Sequence, residues 1–154
     1  MNVKQKTVFT YNLGGSKMPV VQELIRTEQD GSLSFGNYEL REKSKVSDFE
    51  YEGDLYKVKT FYEITKLERN GMLVYESVPG TTVHNFKAMD RIVSFCVEAA
   101  EDAQITLELE AEKDYKVFIN DINVGKMKTN LGGKLPLSVE LGHNETVQVR
   151  IEKL

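Results

Sequence analysis

Between Gln104 and Glu110 apolar and polar residues alternate without a break, with Ile105, Leu107 and Leu109 on one side and Thr106, Glu108 and Glu110 on the other. A period of two places successive side chains on opposite faces of an extended chain, so this is a strand with one face buried and one in water. The pattern continues through Tyr115–Ile119, through Leu135, Leu137, Val139 and Leu141, and through Val147, Val149 and Ile151 against Gln148, Arg150 and Glu152. Turn formers stand between the runs: Asn120-Asp121, Gly125, Asn130 to Gly133 and Gly142-His143-Asn144. We read residues 103–154 as consecutive antiparallel strands with Ile105, Leu107, Leu109, Val117, Ile119, Leu137, Val139, Val149 and Ile151 buried.

The first half carries hairpin signals of the same kind. Asn70-Gly71 separates Leu67-Glu68-Arg69 from Met72-Leu73-Val74-Tyr75, and Asp30-Gly31 separates Leu24–Glu28 from Leu33–Phe35. Both dipeptides accept the positive φ angles of a tight hairpin turn. Glu52-Gly53-Asp54 and Val78-Pro79-Gly80 mark two more corners. Only Pro19–Ile25 has helical spacing, and it is too short to stand as a helix, so a strand is expected there. About a dozen short strands at regular spacing predict an all-β, antiparallel two-sheet β-sandwich of jelly-roll-like form. At 154 residues the chain suits one such domain, at 19–154, preceded by a β-arm at 1–18 with a Gly14-Gly15 hinge. Asn12-Leu13-Gly14-Gly15 recurs as Asn130-Leu131-Gly132-Gly133, and four residues read better as two glycine-rich turns than as a duplication.

Composition excludes several classes of function. A net charge of −4 offers no basic footprint for nucleic acid. Nothing approaches an apolar run long enough for a membrane helix, and no apolar segment follows Lys4 and Lys6 as in a secretory signal. Cys96 is the single cysteine and cannot form an internal disulfide. With Met1 at the head, the expected compartment is the cytoplasm. His84 and His143 are the two histidines, which leaves no ligand set for zinc, and no EF-hand spacing supports calcium at Glu101 and Asp102. No metal or other cofactor is expected. Cys96 lies in the apolar run Ile92–Val97 and reads as a small core side chain rather than a nucleophile. Glu108 and Glu110, and likewise Glu98 and Glu101, read as the solvated side of strands rather than as a glycosidase pair. There is no Gly-x-Ser-x-Gly elbow, phosphate loop or dinucleotide fingerprint. A sugar-binding sandwich would show exposed aromatic platforms, but tryptophan is absent, and Tyr38, Tyr51, Tyr56, Tyr62 and Tyr75 read mainly as packing.

Several stretches resemble a family of small proteins of anaerobic Gram-positive bacteria labelled "endosialidase": Glu23–Glu28, Asp30–Gly36, Tyr56–Phe61, Val74–Thr81 and Gly125–Gly133. The resemblance runs from about Pro19 to the end and implies a third reading, a glycan-active enzyme. Sialidases resemble β-propellers, and four blades need about sixteen strands. Arg26, Arg41, Arg69, Arg91 and Arg150 are scattered and no aspartate-box repeat is present, so the resemblance brings no catalytic residue with it.

Met1 to about Met18 departs from that family's pattern. In Thr7-Val8-Phe9-Thr10-Tyr11, followed by Leu13, the residues Thr7, Phe9, Tyr11 and Leu13 share one face and Val8 and Thr10 the other. The expected function is a non-enzymatic, self-assembling sandwich that forms homo-oligomers or filaments, with itself as partner and with no membrane or nucleic-acid partner. Its subunit interface would be Thr7, Val8, Phe9, Thr10, Tyr11, Leu13, Gly14 and Gly15. The arm either pairs with a neighbouring subunit or folds back as an edge strand of its own sheet. The alternative function is a carbohydrate-binding or accessory module.

Overall fold

Three two-residue turns set the long hairpins, each with both residues at positive φ: Glu52-Gly53 (50° and 84°), Asn70-Gly71 (51° and 82°) and Asn120-Asp121 (50° and 65°). Such turns match the right-handed twist of the strands they join. The computed structural model describes residues 19–141 and 145–154. The strands are β1 (Ile25–Thr27), β2 (Leu33–Phe35), β3 (Ser44–Tyr51), β4 (Asp54–Phe61), β5 (Ile64–Arg69), β6 (Met72–Val78) and β7 (Thr82–Ala88). They continue as β8 (Ile92–Glu98), β9 (Ala103–Glu108), β10 (Asp114–Ile119), β11 (Ile122–Lys128), β12 (Lys134–Val139) and β13 (Val147–Lys153). There is no helix among the described residues, and so none long and apolar enough to cross a membrane.

A seven-stranded sheet runs β1-β2-β7-β8-β13-β10-β11, and a six-stranded sheet runs β12-β9-β6-β5-β4-β3. All pairs are antiparallel, as in the expected two-sheet sandwich. The thirteen strands of the described residues form two sheets and are not a propeller. The last third is a run of antiparallel strands as expected, but sequence neighbours are not always sheet neighbours. There β10 pairs with β11 and β13 in one sheet while β9 pairs with β12 in the other, so the chain passes between the sheets after β9, β11 and β12. Gly125 is not a turn but lies inside β11, where a bulge interrupts the pairing opposite Val117 and Phe118. Pro19 to Leu24 forms a turn rather than a strand, with Leu24 at φ 72° just before β1.

The alternation translates into burial. Ile105, Leu107, Val117, Leu137, Val139, Val149 and Ile151 are buried, while Leu109 and Ile119 lie half-buried at the rim. Four rings meet in the centre. Tyr75 of the six-stranded sheet packs edge-on against Phe35 (5.3 Å between centroids) and Phe95 (5.7 Å), and Phe86 stacks on Phe95 at 5.7 Å.

Beside this cluster runs a buried chain of hydroxyls. Thr60 and Thr65 share a hydrogen bond of 2.8 Å, and Thr65 donates to the Thr81 carbonyl at 2.7 Å while accepting from the Thr81 N–H at 3.1 Å. The Thr81 hydroxyl meets Tyr75 Oη at 2.7 Å and Ser77 Oγ at 2.8 Å. Asn37 N–H donates to Thr60 Oγ1 at 2.9 Å, which ties the β2–β3 crossover to the same chain. Burial raises the Tyr75 phenol pKa well above its ordinary value, so its hydroxyl stays protonated and able to donate. Gly80 completes the packing, since a Cβ there would stand 2.0 Å from the Phe61 carbonyl oxygen.

Truncating Leu107 to Ala should therefore cost about 2–5 kcal/mol in urea unfolding, by opening a core cavity. Thr65→Val keeps the shape but removes the Thr65 partner of the Thr81 amide and carbonyl and the acceptor of the Thr60 O–H, and should cost about 1–3 kcal/mol. Equal stability of Thr65→Val and the parent would show that the hydroxyl chain is dispensable.

Candidate functional site

The sheet edges differ in what they offer a partner. β12 carries Pro136, which has no N–H to donate, and β3 is broken by a bulge between Val46 and Phe49 with Asp48 at φ 57°. β1 is three residues long. β11 is seven residues long, is exposed on nearly every residue, and pairs on one side alone with β10 among the described strands. Ile122 and Val124 on it are 66% and 58% exposed and lie two residues apart, an exposed apolar pair on the edge. Gly125 leaves open space where a Cβ would stand. The expected interface residues Thr7, Val8, Phe9, Thr10, Tyr11, Leu13, Gly14 and Gly15 lie outside the described residues. The chain enters the sandwich at the opposite side of the same sheet. Val21 N–H donates to the Gly36 carbonyl at 3.3 Å, and Leu24 leads into β1.

A cleft of about 340 Å³ opens at one end of the sandwich, floored by Phe86, Leu107 and Ile151 and rimmed by Arg69, Arg91 and Lys153. Two of its three carboxylates, Glu108 and Glu110, are engaged by lysines, and Asp90 is the third. Glu110 holds Lys153 at 3.0 Å, which keeps the Glu110 carboxyl below the usual carboxylate range, and Glu108 pairs with Lys134 across β9 and β12. Glu108 and Glu110 do not form a working pair, because β9 ends at Glu108 and Glu110 turns to the other sheet.

Two expectations about single residues are corrected. Glu98, expected on a solvated face, is 1% exposed and lies 3.9 Å from Nε2 of the equally buried His84. Cys96 does not point into the core. Val93, Phe95 and Val97 of β8 take the inner face, and Cys96 sits half-buried on the outer face opposite His84 in the register. Thiol, imidazole and carboxylate are thus neighbours on one sheet face. Burial nevertheless raises the Cys96 thiol pKa, the reverse of what a nucleophile needs. Among the described residues no group of three or more His, Cys, Asp and Glu side chains is placed to hold a metal. Compared with models of known protein families, with curated proteins and with solved structures, the chain matches none of them.

The coplanar aromatic platform of a sugar-binding sandwich is not formed at Phe61 and Tyr62, whose rings stand at 82° to each other. Tyr38, Tyr51, Tyr56 and Tyr75 are buried as expected, whereas Tyr62 is exposed and carries Arg41 at 4.7 Å from its ring centroid. Sequence reasoning passed over β11, because Gly125 and the flanking Asn120-Asp121 look like one long turn. The signal available was Ile122 and Val124 at a spacing of two.

Cys96 should react slowly with an aromatic disulfide reagent in the native protein and rapidly in urea. Its folded pKa lies above the ordinary 9.0, so the thiol contributes stability below pH 9 that is lost as pH rises through the folded value. Cys96→Ala should remove that alkaline component, which the difference between its stability–pH curve and the parent's would reveal.

Proposed function

We propose that this protein is a self-assembling structural subunit in which the arm at Thr7–Leu13 adds as a strand to β11 of a neighbouring subunit. The observation that carries the reading is the open seven-residue edge of β11, lying across the sheet from the point where the arm joins. Five or six strand spacings separate them, about 24–29 Å. The linker at residues 14–18 spans at most about 17 Å when fully extended. The arm therefore falls short of its own β11. Folding back on its own side would offer only the three residues of β1, so seven arm residues match the neighbour's edge better.

Several properties of the edge support a heterologous contact. Symmetric pairing of two β11 edges would gather Lys126 and Lys128 of both copies at one seam, whereas Thr7–Leu13 is uncharged. The arm's aromatic residues, Phe9 and Tyr11, suit a strand beside the space left at Gly125. Strand addition satisfies the backbone groups of edge and arm together while pockets on the edge set the register. A head-to-tail contact of this kind closes into a ring or propagates as a filament. Such a protein needs no catalytic group.

Deleting residues 1–13 should leave the circular dichroism of a folded sandwich and a smaller particle by light scattering. The double substitution Ile122→Lys/Val124→Lys, with the arm intact, should reduce the size equally by burdening the edge with charge. Assembly that survives both changes would overturn the reading, as would a full-length chain that is monomeric at every concentration.

A further inference from the structure

We propose that the outer face of the six-stranded sheet binds a ligand joining a phosphate-class dianionic head to a flat apolar body, the head on Lys43, Lys45 and Lys59 and the body on Phe61, Ile64 and Val78. The proposal is independent of the assembly reading and uses a different surface.

The register builds the cationic half. Lys45 pairs with Lys59, and Lys59 pairs with Lys66, so three lysines stand side by side across β3, β4 and β5 on one face. Cross-strand neighbours of like charge work against a sheet, and natural strands usually set opposite charges there. Lys66 has a local answer in Glu68 at 3.4 Å and faces Glu76 in the register. Lys57 faces Glu68 in the register, and among the described residues Lys43, Lys45 and Lys59 have no ion-paired carboxylate. Burial and then the charges of Lys43, Lys66, Lys57 and Lys45 depress the Lys59 pKa. A chain of net charge −4 has thus concentrated uncompensated positive charge at one place.

The next row along the same strands builds the apolar half. Phe61 pairs with Ile64, and Val78 stands beside them with 55% of its surface exposed. With Pro79 they floor a shallow cleft of about 610 Å³ whose walls include Lys43 and Lys59. Lys43 Nζ lies 5.8 Å from the Phe61 ring centroid, so the cationic and apolar halves are contiguous. Glu63 and Glu101 also line the cleft and repel an anion near them, which turns the head toward Lys59 and its register neighbour Lys45. Tyr62 has one face taken by Arg41, so the cleft offers one ring edge and an aliphatic floor rather than stacked platforms for successive bases. Several ammonium groups around one position favour a doubly charged oxyanion over a single carboxylate, because each contributes its own attraction.

Phenyl phosphate carries both features, and inorganic phosphate and phenol carry one each. In calorimetric titrations of the full chain at fixed ionic strength, phenyl phosphate should bind about tenfold tighter than phosphate, the gain expected when a ring leaves water. Lys45→Gln/Lys59→Gln should reduce phenyl phosphate to the level of phenol and abolish the phosphate response. The same variant should melt no lower than the parent, because it removes like-charge repulsion. Phe61→Leu should keep phosphate binding and lose the extra affinity of the ring. Phenyl phosphate binding no tighter than phosphate would overturn the proposal, as would undiminished binding to the folded lysine variant.

Discussion

The buried hydroxyl chain from Thr60 through Thr65 and Thr81 to Tyr75 and Ser77 is the constraint around which the sandwich is arranged. A polar group in the core must keep a partner, because the cost of an orphaned one is the full loss of its hydration. Each hydroxyl here has one, and its partners come from β4, β5, β6 and the β6–β7 crossover. The crossover cannot slide without breaking several bonds at once. It is also locked sterically, since Gly80 lies against the Phe61 carbonyl and its N–H donates to the Tyr62 carbonyl at 3.0 Å. The Phe61–Tyr62 corner, and with it the apolar floor on the outer face, is held in place from within.

The same sandwich treats its four edges unequally. Proline, a bulge and shortness blunt β12, β3 and β1, and the seven residues of β11 remain. An edge strand with exposed aliphatic side chains is ordinarily an aggregation hazard. In the proposed assembly, Lys126 and Lys128 would disfavour symmetric pairing of two β11 edges while accepting an uncharged strand.

Net charge conceals local charge in this protein. Acidic residues outnumber basic ones, and much of the positive charge elsewhere is compensated: Arg150 by Asp121 and Glu152, Lys153 by Glu110, Arg26 by Glu23 and Glu28. The lysine row on β3, β4 and β5 stands apart because register, not composition, puts its members together. It also sits beside apolar surface, the cleft floored by Phe61, Ile64 and Val78.

Local chemistry made much of the fold legible beforehand. A period of two in Ile105–Leu109 and Val147–Ile151 identified strands and their buried faces, and Asn70-Gly71 identified a hairpin, because both depend only on near neighbours along the chain. What alternation cannot give is which strand lies beside which. The pairing of β9 with β12 and of β10 with β13 depends on crossovers that bury a common core. From that pairing follows the edge left open at β11 among the described strands, whereas Lys45, Lys59 and Lys66, which look like ordinary solvated charges when met singly, are brought together by the register of the β3–β4 and β4–β5 hairpins. The burial of Glu98 beside His84 is of the same origin: its strand position marked the outer face, and only the packed structure decided that this part of the outer face is covered. The sequence by itself determined strands, turns and inward faces, whose causes are local; the tertiary structure alone decided which sheet each strand joins, which strands form the edges and which outer faces are covered, whose causes are contacts between distant segments.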